Sequence, residues 1–417
     1  MTATWPIEPV TGPVHATVRV PGSKSITNRA LVCAALASGT SVLDGALRAD
    51  DVDAMIDCLS ALGIPVSVAG EQVRVTGCAG KPPAWEATLD ARLSGTTARF
   101  IGPVAAIGHG RFVLDGAPPL RRRPMAPLVS ALRSLGVDLE ETAEPGHLPV
   151  VIHASGVRGG RVALAGDISS QFVSGLLMAA PCFDLGVEIA LTTELVSEPY
   201  VAMTRAVMAA FGVASDGLTV PPGQYHGTAY AIEPDASAAS YFFAAAVVCG
   251  GEVRVEGLGR ESLQGDLAFV DVLARMGADV HQDATATTVR GTGTLHGVTV
   301  DLRHLSDMVP TLAAVAAFAD SPTRITGVGF IRGKESDRIA ATVAELRRCG
   351  VAAHAEPDGL TVEPSIPHGA VIETYDDHRI AMAFSVVGLK VPGIQIADPE
   401  CVGKTFPAFY EALGQLR

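Results

Sequence analysis

The stretch that decides the fold is VRVPGSKSITNRALVCAALASGTSVLDG at 18–45: a β-branched segment, a short polar run, an Ala-rich stretch and a second β-branched segment. The same order returns at 87–116 as ATLDARLSGTTARFIGPVAAIGHGRFVLDG, and again from Arg161, Tyr230, Val298 and Val371. Equivalent apolar positions, Val20, Leu89, Leu164, Ile232, Val300 and Ile372, are spaced by about 70 residues, too long for a solenoid repeat. Between successive copies runs an amphipathic helix pattern closed by an apolar residue and Gly, at Gly63, Gly136, Gly212, Gly277 and Gly350. Apolar residues at i, i+3, i+4 and i+7 with Gly just past the end predict a helix and its C-cap. A sixth such helix reaches Gly414 and the chain stops, while the extended stretch 7–20 has no assigned partner. The economical arrangement splits the sixth unit, so that the N-terminus completes it. The expectation is an α/β protein of six pseudo-symmetric repeats, three per domain. One domain is 22–231 and the other is 1–21 with 232–417.

The polar run of every copy falls just before an Ala-rich helix, where four backbone N–H groups lack partners and the helix dipole is positive. Helix starts of this kind hold anions; Ser, Thr and Asp there also serve as plain N-caps. Several runs carry more than a cap. PGSKSITNR holds Lys24 and Arg29, SGTTAR holds Arg99, and DDHR holds His378 and Arg379. Lysine is scarce, at 24, 81, 334, 390 and 404, and three of the five stand in such contexts: PGSKS, RGKESDR and VGKTFP. A Lys kept where Arg is the usual cation suits point-charge or proton-transfer work. IRGKESDRIA (331–340) reads as a helix start with ion pairs or as an acid/base pair with an anion clamp. RRRP (121–124) reads as a solvated loop or an anion clamp, and the Asp-rich run 49–57 as the first turn of a helix.

The whole chain has 417 residues, 48% hydrophobic and 18% charged, with a net charge of −13. That balance opposes nucleic acid or an anionic membrane as the main partner, since both attract basic surfaces. No apolar run approaches the roughly 20 residues of a membrane helix. Seven cysteines, an odd number without CxxC, fit a reduced, cytoplasmic protein. No P-loop, dinucleotide fingerprint, GxSxG elbow or zinc spacing is present, so no metal or cofactor is expected.

PGSKSITNRAL, SGTTAR, RRRPM, DISSQF, LVSEPY, LSDM, GKESDR, YDDHR and VGKTFP, in this order along the chain, resemble the EPSP synthase family, the 3-phosphoshikimate 1-carboxyvinyltransferases. The resemblance implies a two-domain inside-out α/β barrel with the active site in the interdomain cleft; nothing in the sequence marks an interface, so a monomer is expected. The resemblance also implies transfer of the enolpyruvyl group of phosphoenolpyruvate to the 5-hydroxyl of shikimate 3-phosphate, without metal or cofactor. Carried over by motif, Lys24, Ser25, Arg29, Ser169, Ser170, Gln171, Ser197, Tyr200, Asp307 and Lys334 contact shikimate 3-phosphate. Lys24, Gly95, Arg123, Gln171, Arg338, Arg379 and Lys404 contact phosphoenolpyruvate. Asp307 takes the hydroxyl proton and Glu335 protonates the vinyl carbon, with Lys24 and Lys404 assisting. Three positions depart from the common pattern: Leu93, Phe100 and Phe330. UDP-N-acetylglucosamine enolpyruvyl transfer is the nearest alternative, but LRRRPMAP lacks the mobile-loop cysteine usual there. An RNA 3′-phosphate cyclase-like protein is a distant one, opposed by the acidic charge.

Overall fold

In the computed structural model, which describes residues 4–417, the helices are α1 (Lys24–Leu36), α2 (Asp50–Ala61), α3 (Gly95–Ile107), α4 (Pro118–Arg121), α5 (Ala126–Ser134), α6 (Ser170–Ala179), α7 (Glu198–Ala210), α8 (Ala236–Cys249), α9 (Phe269–Arg275), α10 (Val309–Ala316), α11 (Arg338–Arg348), α12 (His378–Gly388) and α13 (Phe409–Gly414). The chain forms two compact units, Gly22–Ile232 and Met1–Pro21 with Glu233–Arg417, each with its own apolar core. Ile232 stays with the first unit because its N–H donates to the Asp44 carbonyl at 2.8 Å.

Six helices, α1, α3, α6, α8, α10 and α12, are buried along almost their whole length. Their sequences explain it, since a helix apolar on all sides has to be covered on all sides. The helices α2, α5, α7, α9 and α11 bury one face only. Each ends as its sequence predicts, on Gly63, Gly136, Gly212, Gly277 and Gly350, with φ between +80° and +111°. At α11 the Gly350 N–H reaches the Arg347 carbonyl at 2.9 Å and the Val351 N–H reaches Leu346 at 2.9 Å. This pairing satisfies carbonyls the helix end leaves open, and it needs a residue without a Cβ at the left-handed position. Gly414 differs, because it lies inside the last turn of α13.

Each buried helix accompanies one sheet. The sheets of Gly22–Ile232 run, in spatial order, 229–231, 40–44, 72–76, 66–69; then 86–90, 109–115, 150–155, 138–141; then 160–164, 187–191, 219–220. Those of the other unit run 279–282, 286–291, 251–256, 14–18; then 299–301, 323–326, 359–362, 353–356; then 4–6, 395–397, 371–372. Around α3, α6, α10 and α12 the strands before and after the helix pair in parallel, the βαβ arrangement.

At α1 and α8 the leading strands are exchanged. Val14–Val18, just ahead of α1, pairs with Gly251–Glu256, the strand after α8. Ala229–Ala231, just ahead of α8, pairs with Thr40–Asp44, the strand after α1. The sequence reading offered 7–20 to the sixth unit and left the partner sheet of 229–231 unassigned. Both are short β-branched or aromatic runs, so pattern alone cannot tell which sheet receives which. The sixth sheet is completed from the N-terminus, but by Thr4–Pro6 against Gln395–Ala397. Of the expected segment 7–20, the strand Val14–Val18 goes to the fourth sheet instead.

Gly136 isolates the cost of the left-handed helix ends, since a Cβ there meets only Arg158 Cβ at 3.6 Å. Gly136→Ala is expected to destabilise the protein by about 1–2 kcal/mol through φ alone. An unchanged urea midpoint would contradict this account.

Candidate active site

Helices apolar along their flanks can present polar chemistry chiefly at their first turn. Ser23, Ser94, Ser169, Asp235 and Asp377 cap α1, α3, α6, α8 and α12, their side-chain oxygens accepting from Ile26, Thr97, Gln171, Ala238 and Arg379 N–H at 3.4, 3.2, 3.3, 2.9 and 3.0 Å. The second residue past each cap is Ser25, Thr96, Gln171, Ser237 and Arg379. In the 3₁₀ turn that leads into α10, the same place is taken by Asp307. One register thus carries four of the expected site residues: Ser25, Gln171, Asp307 and Arg379.

In Gly22–Ile232, Lys24 Nζ meets Asp51 Oδ2 at 3.2 Å, both largely buried. Gly95 opens α3 directly under Arg123: a Cβ at 95 would lie 2.7–2.9 Å from three guanidinium atoms. The RRRP run therefore divides. Arg123 is buried, while Arg121 pairs with Asp115 at 2.7 Å in solvent and Arg122 is exposed. Gln171 accepts from Arg99 Nη1 at 2.6 Å and donates to Thr96 Oγ1 at 3.1 Å. Ser169 and Ser170 are buried beside it at the mouth of α6. Ser197, with φ +53°, precedes α7 and is buried, and Tyr200 is half-buried on that helix.

Arg29 is not an open fork. Its Nε donates to Thr204 Oγ1 at 2.7 Å, Nη1 to the Ser25 carbonyl at 2.9 Å, and Nη2 to Ser174 Oγ at 3.3 Å and the Tyr200 carbonyl at 3.1 Å. Its guanidinium lies 5.2 Å from the Phe100 ring centre, a contact worth a cation–π attraction. Burial pushes its pKa down to about 10, Tyr200 acting the other way, so it stays charged at neutral pH. The Phe100 departure is thus part of the wall around Arg29.

In the other unit the expected residues form one ionic cluster. Arg338, 1% exposed, reaches Asp307 Oδ1 at 2.8 Å, Glu335 Oε2 at 2.8 Å and Asp377 Oδ2 at 2.9 Å. Arg379 Nη2 holds the second Asp307 oxygen at 2.6 Å, and Lys404 Nζ lies 3.7 Å from Glu335 Oε1. Burial is the largest influence on Arg338 and works against its charge. The carboxylates of Asp377, Glu335 and Asp307 outweigh it and raise its pKa above the ordinary value. Lys334 stands 6.0 Å from the ring centre of half-buried Phe330, and Leu93 is 38% exposed. The helix-start reading of 331–340 holds: Glu335–Arg338 is an i,i+3 pair, and Asp337 caps α11 by accepting from Ala340 N–H at 3.0 Å.

The sequence reading missed Asp377 and Asp51. Asp377, fully buried, accepts from Arg338 Nε at 2.9 Å and Nη2 at 3.3 Å, from Ser336 Oγ at 2.9 Å and from Arg379 N–H. Its signal was its place directly before His378 and Arg379. Asp51 is one of three acids in the first turn of α2, with Asp50 and Asp53, and is the buried one; spacing does not single it out.

The fold is mixed α/β, and its chemistry is gathered where helix starts meet buried cations and carboxylates, as suits a protein that handles small anions. The family model for EPSP synthase (3-phosphoshikimate 1-carboxyvinyltransferase) matches residues 9–413. The chain is 45% identical over 412 residues to the 3-phosphoshikimate 1-carboxyvinyltransferase of Nostoc punctiforme, covering 97% of each. It is 45% identical over 410 residues to that of Methanoculleus marisnigri, again covering 97% of each. A solved structure of EPSP synthase from Acinetobacter baumannii aligns with a TM-score of 0.82 at 27% identity, over 99% of this chain and 98% of that one. The chain belongs to the EPSP synthase family.

Removing one partner from a buried ion cluster leaves a charge uncompensated, at about 3–5 kcal/mol. Asp377→Ala is expected to lower stability by that amount in urea. A loss near zero would mean that Asp307 and Glu335 suffice to hold Arg338.

Proposed function

We propose that this protein transfers the enolpyruvyl group of phosphoenolpyruvate to the 5-hydroxyl of shikimate 3-phosphate, releasing phosphate. The observation that carries the reading is Asp307, held between Arg338 and Arg379 while Glu335 shares Arg338 and approaches Lys404. A candidate base and a candidate acid stand on the same buried cations, which are suited to phosphate and carboxylate.

In this scheme Asp307 accepts the proton of the attacking hydroxyl, and Glu335 protonates the methylene carbon of phosphoenolpyruvate. The oxygen then bonds to the oxocarbenium-like centre, giving a tetrahedral ketal phosphate. Loss of phosphate and of one methyl proton yields the enol ether. Glu335 has to be neutral when it donates, whereas Arg338 and Lys404 favour its carboxylate. A substrate anion that draws the Lys404 ammonium toward itself weakens that preference and lets Glu335 take up the proton. Arg338, Arg379 and Lys404, with Gly95, Arg123 and Gln171, receive phosphoenolpyruvate. Lys24, Ser25, Ser169, Ser170, Gln171, Ser197, Tyr200 and Lys334 receive shikimate 3-phosphate. Arg29 joins them by giving up a protein partner, the Ser25 carbonyl being the one at the helix mouth.

The six sheets and their buried helices support an inside-out α/β barrel of six repeats, three per domain, as the finer description of the fold. Seven free cysteines support a reduced, cytoplasmic setting.

Phosphate release from phosphoenolpyruvate is expected to require shikimate 3-phosphate. Release that instead requires UDP-N-acetylglucosamine would overturn the proposal. Asp307→Ala is expected to lower kcat at least about 10²-fold, the low end for a general base, and near-normal turnover removes it from that role. In Gly95→Ala the new methyl pushes the Arg123 guanidinium aside, so KM for phosphoenolpyruvate is expected to rise. An unchanged KM would mean that this pair does not face the ligand.

A further inference from the structure

The turn that delivers Asp377 and Arg379 holds one residue against its preference. The Asp377 N–H closes it on the Thr374 carbonyl at 2.9 Å, and its two central residues, Tyr375 and Asp376, have φ +56° and +55°. Turns with positive φ at both central positions favour Gly, Asn and Asp, so Asp376 suits its place and Tyr375 does not. A bulky Tyr there is an outlier that the surroundings have to hold.

The holding group is Glu345, about two turns along α11 from Arg338 and 0% exposed. Its Oε1 accepts from the Tyr375 hydroxyl at 2.7 Å, and its Oε2 accepts from the Glu373 N–H at 3.0 Å and from Arg348 Nε at 2.9 Å. Tyr375 is 43% exposed, so ring packing alone does not fix it; burial, with Glu345 adding to it, pushes its phenol up to about 12, leaving it a donor at neutral pH. Segment 373–377 is thus tied to α11 twice, by Glu345 at one end and by the Asp377–Arg338 pair at the other.

We propose that Glu345 and Tyr375 are positioning residues, a latch that holds this left-handed turn so that Asp377 and Arg379 meet Arg338 and Asp307 in working register. A purely structural role would make Glu345 the partner of Arg348 and nothing more. The hydrogen bond from Tyr375, at the disfavoured position itself, is what distinguishes the latch.

The activity arm of the test rests on the enolpyruvyl-transfer reading; the exchange arm does not. Tyr375→Phe removes one hydrogen bond to a charged acceptor and leaves Glu345 with Arg348. It is expected to raise KM for phosphoenolpyruvate about tenfold while KM for shikimate 3-phosphate stays within about twofold. The amide protons of Asp377 and Arg379 are expected to exchange faster with solvent by a similar factor. Tyr375→Gly supplies positive φ at the disfavoured position without the latch, so this variant is expected to keep both readouts near wild type. Wild-type KM and exchange in Tyr375→Phe would overturn the proposal, as would a loss in Tyr375→Gly matching that in Tyr375→Phe. If the unaltered protein releases no phosphate, the functional reading falls, and hydrogen exchange still decides the latch.

Discussion

The constraint on which the rest depends is that six helices are buried on all sides. Such a helix has little flank on which to carry chemistry, so its polar groups gather at the unpaired N–H groups of the first turn and the side chains seated there, with Arg29 one turn further along α1. That is why Ser25, Gln171, Asp307 and Arg379 share one position relative to their helix starts, although their side chains have nothing in common. The Ala-rich interiors are what bury the helices, and burial is what confines function to their ends.

The same burial sets the electrostatic terms. Arg338 has lost nearly all contact with water, and a lone guanidinium there would be untenable. Asp307, Glu335 and Asp377 make it tenable, and with Arg379 and Lys404 they form a cluster of three cations and three carboxylates. Charges that already balance can be re-paired when anions arrive without any group being left alone. Asp377 differs from the other two carboxylates in being completely buried and in capping α12 as well. It is the fully enclosed member, while the Asp307 and Glu335 side chains keep 17% and 13% exposure.

Most of the fold was legible in the sequence because its signals are local. The Ala-rich runs, the caps and the five glycines each report a conformation through residues next to them, and so does the recurrence of the pattern. The sheet that each exchanged strand joins was not legible: the segments ahead of α1 and α8 carry the same β pattern, and their destination is set by distant pairing. The site divided in the same way. Asp307, Glu335, Arg338, Arg379 and Lys404 stand in recognisable motifs, and the structure gathers them. Asp51 looks like any first-turn acid until burial distinguishes it, and the left-handed conformation of Tyr375 contradicts what its side chain prefers. A reading from propensity fails at such positions because the environment, not the residue, decides the conformation.

The scarcity of lysine acquires a structural sense beside the arginines. Arg338 is locked by three carboxylates at 2.8–2.9 Å, Arg379 holds Asp307 at 2.6 Å, and Arg29 is wrapped in protein acceptors. Lys24 meets Asp51 at 3.2 Å and Lys404 meets Glu335 at 3.7 Å, looser pairings by a compact charge on a flexible stem. A planar fork fixed at several points builds a frame but moves poorly, and it does not give up a proton near neutral pH. A single ammonium can swing between a carboxylate and a substrate oxygen, and can pass a proton while doing so. Among these groups arginine builds the frame, and Lys24 and Lys404 are the compact charges set beside it.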